Sequence, residues 1–512
     1  ADNDGLRNYD QEFLPTFFKN VYQYNLGVSV YLQALPLALF GKSVAVTRGV
    51  NVLVSLLAAI CSGLALRRSF GNPRPRLAVL VLSATPAWFL HSRTAFETSL
   101  AVSFYAGFLY CYLLYRGGQE RAIYASLVFA ALSFYSYSPA QMVVAVTALL
   151  LLASDFTYHW QQRRTLGKAL LLGVLLALPY VRFQLAHPLE QLNHLKLIGS
   201  YWLQPVSAWQ KLEQFFSIYL QGLNPLYWYA APASIDLERH IMNGYGHLLR
   251  YLLPFGLIGF GLALKNWRHW AYRACLAAVL AAPSGAALVG MGITRALFMV
   301  IPAALLTALG ISAVMDWITR RLRFERAAVA LAFGLLLGGF NLYLLGDALL
   351  RGPTWSTNYT LTGMQYGARQ VFNAALDFTA RHPYSRVVLS PTWANGTDIL
   401  ARFFLPETAP VELRGIEGYL SELQPLDDQT VFILPPDELE RARQSNKFTA
   451  ITPLFTLPYP DGQPGFFFVQ MRYVADIAAI FQAELEDRSS MIPGEAIING
   501  ETAHVAHSRL HM

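Results

Sequence analysis

Ten apolar runs dominate the first two thirds of this chain, at about 46–66, 77–90, 98–115, 122–136, 139–154, 169–185, 249–264, 274–291, 296–317 and 327–347. A helix that crosses a membrane needs about 20 mostly apolar residues, with a range near 17–25, so some of these runs are full crossings by length and others are short. Helices buried in a soluble core rarely carry so little charge over so long a stretch. The pattern predicts an α-helical polytopic membrane bundle of about ten spans. From residue 350 onward charged residues return at an ordinary density, which predicts a separate water-exposed domain.

Only 14% of the 512 residues are charged, against about a quarter in a typical soluble domain. The net charge of +7 does not indicate a nucleic-acid partner, because the basic residues sit in short loops between apolar runs. Those loops alternate. "RRSFGNPRPR", "RGGQER", "QQRRTLGK", "KNWRHWAYR" and "RRLRFER" are basic, whereas 91–97, 137–138 and 292–295 carry little Lys or Arg. Lys and Arg collect on the cytoplasmic side of a membrane. The basic loops are therefore expected inside, and 1–45, the long loop 186–248 and 350–512 outside, in a multi-pass plasma-membrane protein. Cys61, Cys111 and Cys275 lie in apolar runs and form neither a disulfide framework nor a metal spacing.

The ionisable residues of interest gather at the outer ends. In "WFLHSRTAFETSL", His91, Arg93 and Glu97 stand between two apolar runs. A charged side chain deep in a bilayer costs about 2.5–3.5 kcal/mol, so such groups pair or line a wet cavity. Arg93 and Glu97 are one helical turn apart and satisfy one another in one reading. In the other, Glu97 is a base beside cations that hold an anionic substrate. "IDLERHIMNGYGHLL" places Asp236, Glu238, Arg239, His240 and His247 around Gly244 and Gly246, where glycine permits a tight turn or close backbone approach. A solvated loop cap is the competing account. Arg295, at the mouth of a later run, either binds an anion or snorkels to the interface. The N-terminal stretch offers Asp10, Glu12 and Lys19, ahead of an amphipathic segment, 26–41, suited to the membrane interface. His240 and His247 lack a standard zinc spacing on one helix face. No metal ligands are assigned, no cofactor is certain, and a divalent cation is left open.

The order of several patches resembles the GT-C superfamily of polytopic glycosyltransferases, in its protein-mannosyltransferase and aminoarabinose-transferase-like branch. Pro15, Tyr31, Phe40, Gly41 and Arg48 sit in "LPTFFKNVYQYNLGVSVYLQALPLALFGKSVAVTRGVNVL", and "TPAWFLHSRTAFETSL", "FYSYSPAQ", "RHIMNGYG" and "ITRALFMVIPAALLTALG" follow in the family's order across about 1–350. The resemblance implies a sugar donor on a polyprenyl phosphate and a lipid, glycan or protein acceptor. It also implies that the family's first helix, with the acidic pair that follows it, lies upstream of Ala1. Asp10 and Glu12 then stand as substitutes. A carboxylate base (Glu97, Asp10 or Glu12) would take the acceptor proton. His91, Arg93, Lys19, Arg239, His240 and Arg295 would hold donor phosphate and sugar. The expected activity is hexosyl or pentosyl transfer on the outer face. A non-catalytic receptor or lipid-linked-sugar transporter is the alternative, although a transporter predicts paired broken helices and midplane charges.

The domain organisation read from the sequence is a first outer loop at 1–45, a transmembrane transferase-like domain at 46–349, an outer α/β domain at 350–490, and the start of a β-rich segment at 491–512. In the α/β domain "QYGARQVFNAALDFTARH" and "WANGTDILARFF" read as helices. "RVVLS", "TVFILP", "FTAITPLFTLPY" and "GFFFVQMRYV" read as strands.

Overall fold

The structure is a computed structural model and describes residues 7–8, 11–20, 23–230, 236–490, 496–498 and 501–503. It divides into two compact units, Ala1–Trp355 and Ser356–Met512.

The first unit opens with an antiparallel hairpin, β1 (Phe17–Asn20) and β2 (Gln23–Leu26). Helix α1 (Val28–Phe40) takes up the amphipathic segment, and the Tyr31 hydroxyl donates to the Pro15 carbonyl at 2.8 Å. There follow α2 (Val44–Arg68), α3 (Arg76–Ser83), α4 (Pro86–His91), α5 (Glu97–Arg116), α6 (Ala122–Phe134), α7 (Ser138–Ser154), α8 (Phe156–Gln161) and α9 (Arg163–Ala186). The long loop holds α10 (Glu190–Leu197), α11 (Ala208–Leu223) and α12 (Pro225–Tyr229). The bundle closes with α13 (Leu253–Lys265), α14 (Trp270–Ala281), α15 (Ser284–Ala287), α16 (Ile293–Ala296), α17 (Val300–Arg321) and α18 (Arg326–Arg351).

Among the described residues, five helices are long and apolar enough to cross a membrane. The other expected crossings are shorter, and two are broken. The run 77–90 divides into α3 and α4, because Thr85 is extended and Pro86, with no N–H to give, starts a new helix. The run 274–291 divides at Pro283. Helix α5 and the α16–α17 rod form the interior: their apolar windows are 94% and 89% buried, against 11% and 17% for α9 and α18. Leu170, Leu171, Val174, Leu175 and Leu178 of α9 and Leu331, Leu335, Leu336 and Leu342 of α18 are exposed. Each such side chain left in water forfeits about 1.5–3 kcal/mol. A polar solvent does not fit that rim; lipid does, and the chain is a multi-pass membrane protein.

At the end of the bundle that carries the basic loops, Asp155 is buried and clamped. It accepts from Arg116 Nε at 2.6 Å and from the Tyr112 hydroxyl at 2.7 Å, and pairs with Arg273. The clamp ties α5, the α7–α8 corner and α14 together.

The second unit is a five-stranded mixed sheet in the order β4-β3-β5-β7-β6. Strands β3 (Arg386–Leu389), β4 (Val411–Leu413) and β5 (Thr430–Leu434) are parallel, and β6 (Phe448–Pro458) and β7 (Pro464–Tyr473) form an antiparallel hairpin against β5. Helices α19 (Ala368–Arg381), α20 (Thr397–Phe404), α21 (Glu417–Ser421), α22 (Pro436–Gln444) and α23 (Ile477–Ser490) accompany the sheet, and apolar clusters cover both of its faces. The four strands read from sequence are present; the three-residue β4 gives too short a pattern to read. Two further short strands pair at 496–498 and 501–503.

Candidate active site

At the end of the bundle opposite the basic loops, α4, α5, α7 and α16 meet the loop that precedes α13. Asp236 is the hub. Its Oδ1 accepts the backbone N–H of Ile293 at 2.6 Å, and its Oδ2 accepts from the Tyr227 hydroxyl at 3.1 Å and from His247 Nε2 at 3.0 Å. Ile293 is the first residue of α16, so the carboxylate sits on a helix N-terminus, where its charge is favoured. Burial alone would raise the Asp236 carboxyl. The hydrogen bonds from His247, Ile293 and Tyr227 outweigh it and hold the group below the usual carboxylate range.

The Gly-Tyr-Gly turn makes this approach possible. Gly244 has φ +84°, and a Cβ on Gly246 would lie 2.7 Å from the Tyr229 carbonyl oxygen. The backbone of 246–248 thus presses against α12, where the Leu248 N–H donates to the Trp228 carbonyl at 2.7 Å.

His91 and His240 stack at 5.6 Å between ring centroids, and Phe96 packs 5.1 Å from the His240 ring. His91 Nδ1 bonds the Ala87 carbonyl at 2.8 Å, which places the proton on Nδ1 and leaves Nε2 an acceptor. Among the described residues His91 Nε2 and His240 Nδ1 are buried ring nitrogens with no partner. Burial, and then the neighbouring His91 and Arg239, push the His240 imidazole down to about 3. It stays neutral at ordinary pH.

Glu97 begins α5, with its carboxylate at the favourable end of the helix dipole. The turn before it is pinned by the buried Asn51 of α2, whose amide donates to Thr94 O and, at 2.8 Å, to Ser99 Oγ. Arg295 lies in α16, at a helix N-terminus, where a cation is disfavoured. Its guanidinium donates to the Gly290 carbonyl at 3.1 Å. Glu97 and Arg295 both act electrostatically on the Tyr137 hydroxyl, which also meets Thr98 and Thr294. His194 of α10 lies within electrostatic reach of Arg295 on one side and Glu190 on the other.

From the residues read in sequence the structure gathers His91, His240, Asp236 and His247, with Glu97 and Arg295 both within electrostatic reach of Tyr137, and it adds Tyr227, Tyr137 and His194. Arg93 and Glu97 form no ion pair among the described residues. The Arg93 guanidinium folds back over the Phe89 ring at 3.4 Å and donates to the Phe89 carbonyl at 2.6 Å. Arg239 lies in the turn Glu238–His240. Glu12 is engaged elsewhere, with His187 Nε2 at 3.2 Å and Asn8 Nδ2 at 2.7 Å. Lys19 lies across the hairpin against the Tyr24 ring at 5.8 Å. Asp10 lies outside the described residues. Among the described residues no three His, Cys, Asp or Glu side chains converge as metal ligands. Beside the hub, an apolar cavity of about 400 Å³ runs from Trp228 and Leu248 past Gly256 and Phe260 to Leu306.

The sequence matches the family described as dolichyl-phosphate-mannose-protein mannosyltransferase over residues 28–183. A search of curated proteins gives no match. Among solved structures, ArnT from Cupriavidus metallidurans in the apo state is similar at 12% identity, with 86% of each chain covered and a TM-score of 0.54. The same protein bound to undecaprenyl phosphate gives 13% identity, 88% of each chain and 0.51. AglB from Archaeoglobus fulgidus, an archaeal oligosaccharyltransferase solved with an inhibitory peptide and a dolichol-phosphate, gives 14% identity over 94% of this chain and 72% of that one, at 0.49. Over most of its length the chain shares the fold of ArnT from Cupriavidus metallidurans, and residues 28–183 are similar to the dolichyl-phosphate-mannose-protein mannosyltransferase family.

Proposed function

We propose that this chain transfers a sugar from a polyprenyl-phosphate donor to a hydroxyl-bearing acceptor at the outer face of the membrane. The observation that supports this reading is that Glu97 and Arg295 both lie within electrostatic reach of the Tyr137 hydroxyl, at the same end of the bundle as two stacked histidines with partnerless buried ring nitrogens. A carboxylate, a cation and unfilled polar atoms in one recess suit a substrate that brings an anionic leaving group and hydroxyls. The apolar cavity that starts at Trp228 and Leu248, next in sequence to Tyr227 and His247, suits the first isoprene units of the donor.

In the reaction, the acceptor oxygen attacks the anomeric carbon and the bond from that carbon to the phosphate oxygen breaks. The phosphate leaves with the electron pair, which Arg295 neutralises. The acceptor proton passes to the Glu97 carboxylate. Asp236 is a positioning residue: it fixes the start of α16, and with it the backbone that carries Arg295. His91 Nε2 accepts a hydrogen bond from a sugar hydroxyl.

The test is release of polyprenyl phosphate from a panel of polyprenyl-phosphate sugars in membranes that contain the protein. Glu97→Gln and Arg295→Gln should each lower turnover by about 10²–10³, with protein levels unchanged. Wild-type turnover in both variants would remove these residues from the site. Donor binding with no turnover for any sugar would move the function to a receptor or a transporter.

A further inference from the structure

A second site lies at the other end of the bundle, the end that carries the basic loops. Helices α6 and α9 both start at the basic end and pack side by side. Between their first turns is a pocket of about 470 Å³ lined by Glu120, Arg121, Tyr124, Arg164, Thr165 and Lys168. Three cations face one carboxylate there, and that carboxylate is taken by the Thr165 hydroxyl at 3.0 Å. Among the described residues neither Arg121, Arg164 nor Lys168 has an ion pair. Further along the same two helices an apolar groove of about 190 Å³ opens, lined by Leu127, Ala131 and Phe134 of α6 and Gly173, Leu176 and Ala177 of α9. The hydrogen bond from Thr165 to Glu120 ties the helices below the groove, and the Tyr135 hydroxyl ties them above it by donating to the Leu176 carbonyl at 2.7 Å. From Arg121 to Ala131 the helix rises about 15 Å, which is the reach of most of an acyl chain.

We propose that α6 and α9 frame a binding site for one anionic phospholipid, with its phosphate held by Arg121, Arg164 and Lys168 and one acyl chain laid in the groove. Charge and shape favour this occupant over others. Unpaired cations at the mouth of a cleft attract a phosphate, and a soluble anion has no use for the apolar groove that continues from it. Basic pockets between membrane helices at the positive end are suited to acidic headgroups. The site does not depend on the transferase reading, only on the chain's being a membrane protein.

Native mass spectrometry of the full chain in detergent tests it, with dioleoyl phosphatidylglycerol, dioleoyl phosphatidylcholine and glycerol 3-phosphate as probes. The wild type should retain one phosphatidylglycerol in preference to phosphatidylcholine, and glycerol 3-phosphate should not displace it. Each basic residue near a lipid headgroup contributes roughly fivefold in affinity. The triple variant Arg121→Gln, Arg164→Gln, Lys168→Gln should therefore lose on the order of a hundredfold for phosphatidylglycerol and keep its weak binding of phosphatidylcholine. Gly173→Leu keeps every charge and fills the groove, since a Cβ at Gly173 meets nothing within 4 Å; it should weaken retention of phosphatidylglycerol at least tenfold. Equal retention of both lipids by the wild type, unchanged retention in Gly173→Leu, or displacement by glycerol 3-phosphate would overturn the proposal. The last would assign the pocket to a soluble anion.

Discussion

His240 shows how one side chain sets a measurable property of the candidate site. Folded, its imidazole is pushed down to about 3; unfolded, it returns to its ordinary value of 6.5. Between those values the unfolded chain binds a proton that the folded chain does not, so stability falls as pH is lowered from 6.5 toward 3. The slope is at most about 1.4 kcal/mol per pH unit for one group, and less here because His240 is only half-buried. Asp236 works in a different window. Its carboxyl is held below the ordinary 3.8, so its contribution is complete above that value and is lost only in stronger acid. Thermal unfolding in detergent between pH 7.5 and 4.5 should therefore decline less steeply for His240→Gln than for the wild type. Parallel curves would mean that His240 titrates as an ordinary histidine.

Among the elements, α13 and α17 depend most on the absence of side chains. A Cβ on Gly259 would overlap the Leu306 carbonyl, and one on Gly310 would overlap that of Phe255. Two helices that approach this closely gain dispersion contacts and weak backbone hydrogen bonds that larger residues would prevent. Gly334 of α18, by contrast, faces open space, with nothing within 4 Å of a Cβ placed there. Gly310→Leu should cost about 3 kcal/mol or more, and Gly334→Leu no more than about 0.5 kcal/mol. Fluorescence-monitored unfolding of both variants in one detergent decides this; equal midpoints would show that the α13–α17 contact relaxes freely.

For the whole molecule, the division at Trp355 separates two kinds of solvent as well as two cores. The second unit buries Phe372, Val387, Phe432, Ile433, Phe468 and Val469 around its own sheet, and the deeply buried Glu438 is satisfied internally. Glu438 accepts from Ser390 and Thr392, each at 2.8 Å, and from the Ile416 N–H at 3.1 Å. A unit with its own core and, among the described residues, no buried charge without a partner should fold alone. Residues 356–490, expressed without the bundle, should unfold in urea in one cooperative step, with a stability of about 5–15 kcal/mol. A gradual, probe-dependent transition would show that the sheet needs the membrane unit to hold it.

The sequence by itself determined the membrane bundle and the appended α/β unit, because the cost of placing charge in lipid acts on each residue where it stands. The run "TVFIL" is a buried strand and α9 is a lipid-facing helix for such local reasons. Glu97 and Arg295 were legible as charges kept at the mouths of apolar runs. Only the tertiary structure decided their company. Asp236 finds its donors at Tyr227, His247 and Ile293, Asn51 pins a turn more than 40 residues away, and Glu97 and Arg295 come within electrostatic reach of the same Tyr137 hydroxyl. It also decided that Arg93 turns back onto Phe89 when Glu97 stood one helical turn away. Those outcomes depend on which helix ends meet, and sequence distance carries no record of that.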